Sequence, residues 1–164
     1  MHTRFLALLF ATLAVLTTFA GVDPMVGTWK LNYEKSKFPS DYPVPKSETI
    51  IVQEHEGGLK LAGDAINSHG KPAHNEYILM FDGKDYPETG VAQGPVAGFG
   101  NGVVTVTGKR INARTVLVTR KRGGKVVSTQ RTFISKDGKT RTSYWKGTNE
   151  KGEPRTFITV FDRQ

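Results

Sequence analysis

The chain of 164 residues contains no cysteine. Disulfides, thiolate nucleophiles and cysteine-ligated metals are therefore excluded, and a folded domain has to be held by its core and its hydrogen-bond ladders. Long apolar runs are scarce as well. The one at Phe5 to Leu16 follows a polar start with the single cation Arg4 and precedes Thr17-Thr18-Phe19-Ala20. It is shorter than the roughly 20 residues a spanning helix needs, and the small residues after it are those a signal peptidase reads. Residues 1–20 are therefore predicted to be a signal peptide cut after Ala20. The domain of residues 21–164 would then reach the periplasm or the exterior with no membrane span of its own.

Catalytic signatures are missing too. There is no Gly-x-Ser-x-Gly elbow, and the acidic residues are scattered over turns and strand ends instead of paired. A non-enzymatic role is expected. Past the leader, histidine is limited to His55, His69 and His74. The last two flank the turn Ser68-His69-Gly70-Lys71 near Glu76, but their spacing is no recognised zinc pattern, so no metal and no other cofactor is implied. The glycine-rich stretch Gly90 to Gly102 precedes a strand instead of a helix and lacks a Gly-Lys-Ser/Thr ending. It reads as a loop at a barrel mouth, with Phe99 as a cap, in place of a phosphate cradle.

Helical periodicity is absent downstream of the leader. Turn dipeptides recur instead at short, even intervals: Gly57-Gly58, His69-Gly70, Asp82-Gly83, Asn112-Ala113, Gly123-Gly124, Asp137-Gly138 and Lys151-Gly152. Alternating β-branched and aromatic segments lie between them, which predicts consecutive hairpins. The strands fall near 26–33, 47–55, 59–66, 74–82, 84–88, 103–111, 114–121, 125–135, 139–147 and 155–162. A meander of this kind has two raw edges unless it closes, so the expected fold is all-β, one up-and-down barrel of about 8–10 antiparallel strands. The segment Glu34 to Lys46, with Pro39, Pro43 and Pro45, reads as an extended connector with no helical lid. Tyr77, Leu79, Phe81, Phe133, Trp145 and Phe157 are the candidates for lining a ligand site, and Leu117 is a further enclosed residue.

Charge is the strongest compositional bias, with a formal net charge of +8. Arg120, Lys121, Arg122 and Lys125 gather about one hairpin tip and form a candidate patch for an anionic surface or a partner protein. No aromatic residues interleave with them as a nucleic-acid stacking platform requires, so no specific nucleic acid is expected.

Gly27-Thr28-Trp29-Lys30-Leu31, at the head of the first strand, resembles the Gly-x-Trp opening of the calycins, the lipocalins and fatty-acid-binding proteins among them. The opening taken together with Asp82-Gly83-Lys84-Asp85-Tyr86-Pro87 also resembles a group of short exported bacterial proteins. The calycin resemblance implies a barrel closed at one end by Trp29, with Gly27 allowing close approach and Arg163 packed over the indole. It also has departures. Fatty-acid-binding proteins carry Arg-x-Tyr on the last strand, where this chain has Thr159-Val160-Phe161, so the family's carboxylate grip is absent there. The leading expectation is a binding protein for a small apolar or amphipathic ligand, with neutral ligands preferred over free fatty acids. The alternative is a filled barrel that acts through its basic hairpin face.

Overall fold

Ten antiparallel strands follow one another around a closed ring in the computed structural model, which describes residues 21–90, 104–148 and 151–164. They are β1 (Gly27–Leu31), β2 (Ser47–His55), β3 (Gly58–Ile66), β4 (Pro72–Met80), β5 (Tyr86–Gly90), β6 (Val104–Asn112), β7 (Thr115–Arg122), β8 (Lys125–Ile134), β9 (Thr140–Thr148) and β10 (Pro154–Arg163). Each strand pairs with the next in sequence, and β1 pairs with β10 through Trp29↔Arg163, Lys30↔Asp162 and Leu31↔Phe161. Closure leaves no free edge. No helix occurs among the described residues. The leader at 1–20 and the loop carrying Phe99 lie outside them.

The strands form where the turn chemistry allows them to reverse. Between β7 and β8, Gly123 and Gly124 both take positive φ, 53° and 76°. A two-residue hairpin needs that backbone, and two consecutive glycines supply it at little cost. Along each strand the inward residues alternate with outward ones, so β4 buries Ala73, Tyr77 and Leu79 while His74 stays exposed.

One end of the barrel is closed by an apolar plug. Trp29 is wholly buried among Met25, Leu31, Val52, Leu79, Val106, Val118 and Phe161. Its indole N–H donates to the Met25 carbonyl at 3.0 Å. The Arg163 guanidinium lies 4.1 Å from the indole centroid and donates to the carbonyls of Gly138 at 2.6 Å, Val26 at 2.6 Å and Pro24 at 2.8 Å. One side chain thus ties the β8–β9 turn to the entry segment across the face of the ring. Gly27 takes φ +141°, and a Cβ there would run into the Arg163 guanidinium. The glycine is required by that close approach.

The other end is covered by the segment between β1 and β2. It has no helix, and Lys37 bridges to Ile158 so that the chain first runs along β10. Its prolines then carry it across the mouth, where Phe38 stacks on Tyr42 (5.4 Å) and Tyr42 leans on Phe157 (5.0 Å). Phe157 in turn stacks on Trp145 at 5.4 Å. Tyr33 fixes the flap by donating to the Pro45 carbonyl at 2.8 Å.

Candidate ligand site in the barrel interior

Between the Trp29 plug and the aromatic mouth lies a polar, charged layer. Its members are set by strand phase. On β9, Arg141, Ser143 and Trp145 alternate inward, and on β8 Gln130 and Thr132 do so. On β7, Arg120 shares the phase of the buried Val116 and Val118. On β2, Glu48 shares the phase of Ile50 and Val52, which pack into the core.

Half of this layer is saturated. Arg120 Nε donates to Glu88 at 3.0 Å, an ion pair whose side chains are 2 % and 3 % exposed. Arg120 Nη1 donates to Gln130 Oε1 at 3.0 Å, Gln130 donates to Ser143 Oγ at 3.1 Å, and Ser143 shares a 2.8 Å hydrogen bond with Thr132. The Arg120 guanidinium lies 5.1 Å from both the Tyr77 and Trp145 rings. Burial opposes its charge, but Glu88 and Tyr77 outweigh burial and hold it more firmly protonated than an ordinary arginine. Trp145 adds its indole N–H to Thr159 at 3.1 Å.

The other half is not saturated. Arg141 is buried with its guanidinium 5.5 Å from the Phe161 ring, and neither its Nε nor its Nη1 has a hydrogen-bond partner among the described residues. The Glu48 Oε2 and the Tyr42 hydroxyl are buried and unpartnered in the same sense. The register sets Arg141 and Glu48 on one inward-facing row, with β10 and β1 between them. Arg141 pairs with Phe161, Phe161 pairs with Leu31, and one step on from Lys30↔Thr49 sets Leu31 beside Glu48. Burial pushes the Glu48 carboxyl up from 4.5 to about 7, against the pull of Arg141 and then Arg120. Burial likewise pushes the Tyr42 phenol up, with Glu48 adding to it. Burial also lowers the Arg141 pKa, but a guanidinium does not give up its proton in proteins, so a charge remains.

The structure places the sequence-selected residues unevenly. Tyr77, Leu79, Trp145 and Phe157 face inward. Phe81 is half-buried at the plugged end beneath the Arg110 guanidinium, 4.3 Å from its ring centroid. Phe133 is a correction: it lies between the buried Thr132 and Ile134 and stacks at 5.9 Å on Tyr144, an exposed residue of the outer wall. Leu117, between buried Val116 and Val118, also faces outward. The basic patch is a second correction. Arg120 is inside the barrel, Arg122 is half-buried with its Nε inaccessible, and Lys121 is bound to Asp85 at 2.9 Å. Only Lys125 of the four is freely exposed. His74 lies on the outside against Asp64 at 2.8 Å, and His69 hydrogen-bonds its neighbour Ser68.

Arg141, Glu48, Glu88 and Gln130 were not among the sequence candidates, and Arg120 was one only as part of the outer basic hairpin. The signal that finds them is the two-residue alternation in Arg141-Thr142-Ser143-Tyr144-Trp145, which fixes Arg141 to the face of Trp145.

Fold and layer together define a closed ten-stranded antiparallel barrel, consistent with a calycin-like architecture, with buried charge at its middle. Comparison with known protein families finds no model that matches the chain, and comparison with curated proteins finds no significant match.

Proposed function

We propose that the protein is an exported binding protein, without catalytic activity, that takes a small amphipathic ligand into the barrel. An acidic head group lies on Arg141 and the apolar tail lies against Trp145, Phe157 and Tyr77. The observation that carries this reading is the buried Arg141, whose Nε and Nη1 have no hydrogen-bond partner among the described residues. An unpartnered buried charge costs several kcal/mol. A carboxylate, sulfonate or phosphate oxygen accepts a charge-assisted hydrogen bond from either of those nitrogens.

The head-group preference read from the sequence is thereby reversed. At positions 159 and 161 the last strand does lack a cation: Thr159 is given to Trp145 and Phe161 to the plug. The interior cations come from β7 and β9 instead. The second reading, a barrel filled by its own side chains, is favoured by the low accessibility of Tyr77, Trp145 and Phe157, at 6–7 %. A ligand therefore has to displace or share the Phe38–Tyr42 cover.

Displacement of an environment-sensitive fluorophore by decanesulfonate and by decanol separates the two readings. The sulfonate is expected to bind at least tenfold more tightly than the alcohol, a difference of about 1.4 kcal/mol, and the preference is expected to vanish in Arg141→Met. Binding of neither compound would support the filled barrel.

A further inference from the structure

Glu48 is the buried carboxyl that the head-group contact leaves unused. Arg120 has its counter-ion in Glu88, 3.0 Å away. Among the described residues Arg141 has no such close partner, and Glu48 is the carboxylate whose field reaches it. The titratable and charged groups around Glu48 are Arg141 from β9, Arg120 from β7 with Glu88 from β5, and Tyr33 and Tyr42 from the connector. β3 sets the uncharged Ala65 beside it, and β1 continues past Lys30↔Thr49 with the uncharged Leu31. Both tyrosines are held in their neutral form by burial first and by Glu48 second. Without a ligand, then, ionised Glu48 is what balances Arg141. With an acidic head group on Arg141, an ionised Glu48 would be a second anion sharing one cation in a weakly polarisable interior, where like charges repel strongly.

Resting on the reading of the interior as a ligand site, we infer that an anion held by Arg141 and the charge of Glu48 exclude one another, so that each anionic ligand bound takes up one proton from solution on the Glu48 carboxylate. The direction follows from linkage. Above neutrality the free protein has Glu48 ionised and the complex has it protonated, so affinity falls as pH rises, by roughly tenfold per pH unit. Well below neutrality both forms are protonated and affinity is flat.

Titration calorimetry with decanesulfonate tests this, because the charge of that probe does not change over the range. Run at about pH 8.5 in two buffers of different ionisation enthalpy, wild-type protein is expected to take up about one proton per ligand. Glu48→Gln is expected to take up none and to bind with an affinity independent of pH. If that variant does not fold, the wild-type proton count decides alone. Tight sulfonate binding with no proton uptake would overturn the coupling and leave the ligand site standing. Failure of both decanesulfonate and decanol to bind wild-type protein would overturn the ligand site and the coupling with it.

Discussion

Replacing Arg141 by methionine is expected to stabilise the ligand-free protein while it removes the head-group contact. Arg141 is 3 % exposed, and its Nε and Nη1 have no partner among the described residues. Each orphaned donor carries a desolvation cost of about 1–3 kcal/mol, more when charged. Methionine keeps an unbranched apolar stem and removes the charge. Apolar replacement of buried charges is commonly neutral or stabilising by about 1–4 kcal/mol. The comparison belongs near pH 5.5, where Glu48, with its pKa at about 7, is protonated and the substitution leaves no orphan anion. Urea titration with an unchanged slope then reads the difference directly; a gain of about 2 kcal/mol moves the midpoint up by roughly 1 M. A loss of about 3–5 kcal/mol, as expected when one partner of a buried ion pair is deleted, would refute the reasoning. Arg141 would then be a structural group paired within the fold.

Other outcomes follow from the same contacts. Trp29→Ala empties the plug and is expected to cost about 3–5 kcal/mol in a denaturant titration. Gly27→Ala forces Arg163 off the indole and is expected to cost more than 1 kcal/mol, within the usual range for such strain. The folded-state pKa of Glu48 is raised from 4.5 to about 7, so its contribution to stability is fully present below pH 4.5 and is lost as pH rises through 7. A gap of that size is worth roughly 3 kcal/mol. Relative to wild type, Glu48→Gln is therefore expected to gain stability between those pH values, and a flat difference would count against the buried placement. If the leader is removed as its pattern implies, N-terminal sequencing of the exported protein begins at Gly21.

The architecture was legible because hairpin glycines and strand alternation act locally. Gly123-Gly124 marks its turn whatever the rest of the chain does, and the strand ends read from such dipeptides lie within two residues of those observed for every strand. The interior was less legible because a barrel wall has two faces and several strands are apolar on both. In β8, Phe133 looks like the core residue and Gln130 and Thr132 like the wall. The reverse holds, because β9 presents Trp145 and Ser143 to the inside opposite Gln130 and Thr132, and Thr142 to the outside opposite Phe133. Charged side chains mislead for a related reason. A lone arginine in a strand is ordinarily solvated, and what draws Arg120 inward is Glu88 on β5, a partner distant in sequence. Here the register shift between Arg120 and Lys121 also breaks the simple count along the hairpin.

The central claim is that Arg141 receives an acidic head group inside the barrel. A crystal structure of the protein with bound decanesulfonate tests it most directly. A sulfonate oxygen is expected within hydrogen-bond distance of Arg141 Nε or Nη1, with the chain running along Trp145 and Phe157. A sulfonate found on the outer wall or at Lys125, with Arg141 still unpartnered inside, would contradict it.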